Sequence, residues 1–187
     1  GRIWKYEELV RQLAAGADES ASAENGAAVF LAASCASCHR CGDQGEGRAP
    51  DLTGVGQRLM RREIVRSLLY PSETIAAPYL SRSIVTTRGR VLSGRISPLT
   101  EPGKVVLVQP DAQRLAVPHE EVDESQAIHA SEMPEGLLES LTSQQIQDLF
   151  AFLLSGHEPQ LARQPSQPKE PDADGTSTEP AATSGPQ

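Results

Sequence analysis

Apolar positions recur at helical spacing in four separate stretches of the chain. Ile3, Trp4, Leu9, Val10 and Leu13 predict a first helix over residues 3–15. Gly26, Val29, Phe30 and Ala33 share one face of a second, over 23–34. Ile64, Leu68 and Leu69 mark a third over 60–70, which Pro71 stops. The clearest lies near the end. Thr142 and Gln145 form a capping box, and Ile146, Leu149, Phe150 and Leu153 then follow at i, i+3, i+4 and i+7. Gly156 suits the position just past that helix, and Pro159 forbids its continuation.

Between the third and last helices the period changes. Residues 83–87, 91–96, 105–108 and 115–117 are short runs rich in β-branched residues. Arg88-Gly89-Arg90, Glu101-Pro102-Gly103 and Pro110-Asp111-Ala112-Gln113 separate them with turn chemistry. A small antiparallel meander of about four strands is expected over 79–124. The fold class expected is mainly α, a helical core with this sheet inserted. Residues 134–141 read as a short turn or helix. Residues 14–23 are small and polar and read as a linker. Residues 157–187 are rich in Pro, Ser, Thr and Gln and almost devoid of large apolar side chains. Burial there cannot offset the entropy of ordering, and a disordered tail is expected.

Composition sharpens this picture in two ways. Aromatic residues make up 4% of the 187, so a large apolar cofactor would supply much of the missing core. The net charge is -8, with no basic stripe, so nucleic acid is not an expected partner. An acidic surface suits instead a protein with a basic docking patch. No apolar run is long enough to span a membrane. The opening Gly1-Arg2-Ile3-Trp4 reads as a mature form or a piece of a longer protein, the latter preferred.

The candidate chemistry sits where the second helix ends. Cys35-Ala36-Ser37-Cys38-His39 is a C-x-x-C-H run, the attachment signature of c-type haem. The spacing lets two sulfurs reach one porphyrin edge and sets the next imidazole under the iron. Cys41 invites a rival reading in which Cys35, Cys38, His39 and Cys41 bind zinc. Structural zinc normally takes two separated ligand pairs, however, and no second cysteine pair exists. A thioredoxin-like pair would need a βαβ pattern, which is missing. Cys41 itself fits a buried small hydrophobe, with an intermolecular disulfide or a redox-sensitive thiol as alternatives. A sixth ligand could come from Met133, in the irregular run Ser131-Glu132-Met133-Pro134-Glu135-Gly136 before the last helix. Met60, beside Arg61 and Arg62, is less suited, and His129 is the runner-up.

The order helix, C-x-x-C-H, Pro-containing loop, Met, terminal helix is similar to that of class I cytochromes c. There a proline carbonyl commonly accepts the proximal histidine's Nδ1 proton, which points to Pro50. The first and last helices would cross closely at Gly26 and Phe30, facing Phe150 or Phe152. More specifically, the chain resembles the Planctomycetes/Verrucomicrobia-type haem-binding domain, a module at the C-terminus of large membrane-bound dehydrogenases. The matching stretches are Gly26–Phe30, Cys35–Arg40, Ala49–Gly56, Tyr70–Ile75, Met133–Leu137, and Leu141-Thr142 with Asp148–Leu153. They span roughly residues 22–155. Ala49 departs from the pattern where glycine is usual, and Cys41 where an apolar residue is usual.

The resemblance implies a cytochrome c domain over 22–156, preceded by a helix and linker over 1–21 and followed by the tail over 157–187. It implies one covalent haem c on Cys35 and Cys38, with iron held by His39 and Met133. Leu52, Val55, Leu59, Ile64, Leu68 and Met133 would form the haem wall, and Arg58 would meet a propionate. It also implies electron transfer rather than enzymatic turnover, a dehydrogenase as redox partner, and a periplasmic or other extracytoplasmic location. A haem peroxidase or small-ligand binder, and a zinc-binding interaction module, are the alternative functions.

Overall fold

The computed structural model describes residues 1–14 and 20–156. The expected disordered tail, and half of the expected linker, lie outside those residues.

Five α-helices carry the first core. They are α1 (Tyr6–Ala14), α2 (Ala23–Ala32), α3 (Val55–Arg58), α4 (Arg61–Leu69) and α5 (Ser143–Leu154). The Ser22 hydroxyl caps α2 by accepting from the Asn25 amide. Thr142 and Gln145 close the capping box of α5 reciprocally. Gly156 follows α5 in the left-handed conformation, with φ of 65°.

Helices α2 and α5 cross in close contact at Gly26. A Cβ on Gly26 would lie 1.9 Å from the Asp148 carbonyl oxygen and 2.7 Å from Phe152 Cβ, so only hydrogen fits there. Next to this crossing, the Phe30 and Phe152 rings sit 5.4 Å apart, tilted by 48°. The aromatic facing Phe30 is thus Phe152, while Phe150 is buried elsewhere in the same core. Asp148 is buried too, but its Oδ1 accepts from the Ser22 amide at 2.8 Å and from Gln144 Nε2 at 3.1 Å.

The first helix starts later than periodicity predicts. Residues 1–5 form an arm that lies along residues 138–139 instead. The Arg2 amide donates to the Glu139 carbonyl, and the Trp4 indole N–H to the Leu138 carbonyl at 2.9 Å. Trp4 is apolar enough to bury yet needs a partner for its N–H, and the arm supplies both.

The expectation of a mainly α fold with about four strands does not hold. The structure has 35% helix and 23% strand, and its larger sheet has five strands. After the two-residue strands β1 (Arg40–Cys41) and β2 (Gln44–Gly45) come β3 (Ser81–Thr86), β4 (Val91–Ile96), β5 (Lys104–Val108), β6 (Arg114–Pro118) and β7 (Val122–Ile128). The order is β6-β5-β4-β3-β7, all antiparallel. Four strands form the expected meander, and β7 returns to the open side of β3, pairing Ile128 with Ser81. Its sequence, Val-Asp-Glu-Ser-Gln-Ala-Ile, escapes a hydrophobic-pattern search. As an edge strand it pairs on one side only and stays largely exposed. Ile84, Val106, Leu107 and Val117 are buried within the sheet and lie outside the helical core cluster, so the sheet keeps a small core of its own.

Candidate functional site

Helix α2 ends abruptly. Ser34 adopts a left-handed conformation, with φ of 61°, and turns the chain into a single 3-10 turn over Cys35–Ser37. His39 follows, and its amide donates to the Cys35 carbonyl at 2.9 Å.

The loop downstream closes over this turn by hydrogen bonds to its carbonyls. The Glu46 amide donates to Ala36, the Arg48 and Ala49 amides both donate to Cys38, and the Leu52 amide donates to Arg40, at 2.8–3.0 Å. Gly45 makes the clasp possible. Its φ is +84°, and a Cβ there would sit 2.1 Å from the His39 carbonyl oxygen.

His39 Nδ1 lies 2.7 Å from the Pro50 carbonyl oxygen. A carbonyl has no proton to give, so Nδ1 is the donor. The neutral ring then carries its lone pair on Nε2, the nitrogen a metal would take. The Pro50 segment is itself braced. Arg58 Nη2 donates to the Asp51 carbonyl at 2.6 Å and to the Thr53 carbonyl at 3.3 Å. The Thr53 amide donates to Asp51 Oδ1, and the Thr53 hydroxyl accepts from the Gly42 amide. Burial works against the Asp51 charge, but the Thr53 bonds and the Arg40 and Arg58 charges outweigh it and hold its carboxyl below the ordinary carboxylate range. Arg58, expected at a propionate, donates in this structure to the loop that carries Pro50.

The three thiols differ sharply. Cys38 is exposed, Cys35 half-buried and Cys41 buried. Burial, and then the nearby Cys38 sulfur, push the Cys35 thiol up, with a backbone hydrogen bond opposing. Cys41 points away from the turn into the helical core, and burial and the Asp51 charge push its thiol up to about 11. Among the described residues, no three His, Cys, Asp or Glu side chains converge as a metal site, so Cys35, Cys38, His39 and Cys41 do not form a ligand tetrad. An accessible thiol reacts as thiolate, whereas Cys41 is both sheltered and protonated at pH 7. Alkylation of the native protein with iodoacetamide at that pH is therefore expected to spare Cys41, and denaturant to expose it. Mass mapping checks this; rapid labelling of Cys41 in the native state would contradict its burial.

The other expected residues divide. Val55 and Ile64 are buried in the helical core, Leu52 and Leu68 pack half-buried against it, and Leu59 is 41% exposed. Met133 is half-buried on the loop between β7 and α5, its amide donating to Ser131 Oγ. His119 and His129 are exposed. A cleft of about 960 Å3 opens elsewhere, between the N-terminal arm, α4 and residues 135–139. Cys35, Cys38 and His39 are not among its walls.

The Asp51–Thr53 brace was not anticipated, although Asp-x-Thr is a local turn signal that could have shown it. The residues that hold Met133's loop carry no such signal, because Ser72, Ser81 and Arg95 lie far from it along the chain.

A half-buried and an exposed thiol separated by two residues, followed by an imidazole locked in one tautomer, fit a covalently attached haem. No helix among the described residues is long and apolar enough to cross a membrane. Comparison with curated proteins finds no match. Residues 23–78, from α2 through the Cys35–His39 turn to the connector after α4, match the family model for cytochrome c, which supports a cytochrome c module there, with the covalent haem and electron transfer that this family implies.

Proposed function

We propose that the chain carries one haem c, joined through Cys35 and Cys38, with its iron held by His39 and Met133, and passes electrons from a fused or partner dehydrogenase. The observation that supports this most is the His39–Pro50 hydrogen bond behind a C-x-x-C-H turn. When bound, the haem supplies a one-electron couple whose potential a methionine ligand raises.

The chain's own residues do the rest. Cys35 and Cys38 would hold the haem covalently through their sulfurs. Pro50 holds the His39 ring in orientation, and the Arg58–Asp51–Thr53 brace holds Pro50. The net charge of -8 favours a partner with a basic face. Covalent attachment of haem takes place outside the cytoplasm, so a periplasmic or equivalent location follows from the reading. The finer kinship proposed is with the Planctomycetes/Verrucomicrobia-type haem-binding domain.

The test is a visible spectrum after expression with haem-maturation machinery, repeated after acid-acetone extraction. A sharp α band that stays with the protein is expected. A colourless protein holding stoichiometric zinc would overturn the reading. Rapid carbon monoxide binding by the reduced protein would remove Met133 from it and favour a ligand-binding or peroxidase role.

A further inference from the structure

The loop that carries Met133 is held from three directions, and its firmest hold comes from the five-stranded sheet. Ser131 is fixed by its amide, which donates to Ser72 Oγ in the connector after α4, at 3.1 Å. Glu132 reaches the sheet with both carboxylate oxygens. Oε1 accepts from the Ser81 hydroxyl on β3 at 2.9 Å, and Oε2 lies 3.3 Å from Arg95 Nε on β4. Met133 then donates its amide back to Ser131 Oγ at 3.1 Å. Three consecutive residues are thus pinned, with the methionine last.

The Arg95–Glu132 pair is unlike the other ion pairs among the described residues. The Arg95 side chain is only 15% exposed and its guanidinium lies 5.7 Å from the Tyr79 ring, whereas the arginine of the Arg88–Glu121 pair is 76% exposed. Arg95 Nε has no aligned hydrogen-bond acceptor, so its contact with Glu132 is ionic rather than a directed bond. A largely buried cation of this kind needs its carboxylate, and removing either partner leaves the other uncompensated. The pair joins a strand of the sheet to the residue next to the methionine.

The geometry points to Arg95, Ser81 and Glu132 as positioning residues for the Met133 thioether, and to the sheet as the device that keeps this methionine seated on the haem iron. The inference rests on Met133 being the distal ligand. It gives the sheet a role within the haem site, where a bare cover over one edge or a docking surface would leave the ligand loop indifferent to Arg95.

The test compares the full haem-loaded protein with its Arg95→Met, Glu132→Gln, Arg95→Lys and Met133→Leu variants at a temperature well below the unfolding midpoint of each. Two readouts are used: the weak red charge-transfer band of the oxidised protein, which reports methionine on iron, and the rate of carbon monoxide uptake by the reduced protein. Arg95→Met and Glu132→Gln are expected to weaken the band and to speed uptake about tenfold, the effect of loosening a seated state by one factor of ten in its equilibrium. Arg95→Lys is expected to restore most of the wild-type behaviour, because it keeps the charge. A purely structural contact would lower the midpoint and leave both spectroscopic readouts unchanged. If Met133→Leu abolishes the band while Arg95→Met and Glu132→Gln match wild type, the positioning role is refuted and Met133 ligation stands. If Met133→Leu itself matches wild type, the ligand assignment fails and the inference falls with it. Glu132→Gln acts at the more exposed end of the pair and keeps the test decisive should Arg95→Met not fold.

Discussion

Gly26→Ala is expected to destabilise the protein by about 3 kcal/mol or more, the upper end of what overpacking a core costs. The added methyl carbon would sit 1.9 Å from the Asp148 carbonyl oxygen and 2.6 Å from its carbon, and both neighbours are backbone. A flexible side chain could swing aside, but a helix backbone cannot. Helices α2 and α5 would have to separate, and the loss would spread along the whole crossing. Val29, Phe30, Leu149 and Phe152 are all at most 7% exposed there. Even a gap of roughly 0.5–1 Å gives up about a quarter to a half of each dispersion contact. For a domain of this size the expected fall in unfolding midpoint is about 10 °C. Ala28→Ser, on the exposed face of the same helix, is the control and should stay within about 0.5 kcal/mol of wild type. Thermal unfolding of both, in the same haem state, checks this; equal midpoints would contradict the close crossing.

The Cys35→Ser, Cys38→Ser double variant is expected to retain no covalent haem. Neither hydroxyl adds to a vinyl group under conditions in which a thiol does. Each single variant should keep haem through one remaining thioether, with the α band moved to longer wavelength because one vinyl group stays conjugated. The fold should respond unequally. Cys38 is exposed and its replacement should leave stability unchanged, whereas Cys35 packs half-buried against the helical core and should cost about 1 kcal/mol. Haem staining of denaturing gels reads attachment and thermal unfolding reads the fold. Covalent haem in the double variant would place the attachment elsewhere.

What the sequence made legible was whatever is encoded by neighbours along the chain. The C-x-x-C-H run and the Thr142–Gln145 capping box are local signals, and each acts over a few residues. Gly26 and Phe30 were legible for the same reason, as one face of one helix, although the choice between Phe150 and Phe152 needed the helix crossing. Pro50 was named by resemblance, and its carbonyl oxygen lies 2.7 Å from His39 Nδ1. The balance of helix to strand was misjudged. Strand β7 is polar because an edge strand can be, and a search for alternating apolar residues passes over it. Trp4 was assigned to a helix by spacing, yet the indole N–H required a carbonyl that residue 138 offers. The hold on Glu132 was the least visible of all. Ser81 and Glu132 lie 51 positions apart, and an isolated Arg in a strand carries no mark of the carboxylate it will meet.

The pairing of Ser81 with Ile128 has a consequence for folding and for how such a domain is assembled. The chain enters and leaves the five-stranded sheet through neighbouring residues, so the sheet is spliced into the helical core at a single point. By this measure it less than doubles the connection between α2 and α5. Loop-closure entropy grows only logarithmically, so the splice adds under about 0.6 kcal/mol to the work of bringing those two helices together. Hairpins built from adjacent strands form within microseconds and would fold that connection short before the helices meet. The helical scaffold can therefore gain or lose such a sheet without moving its own crossing, and selection on the loop of Met133 is decoupled from selection on the core.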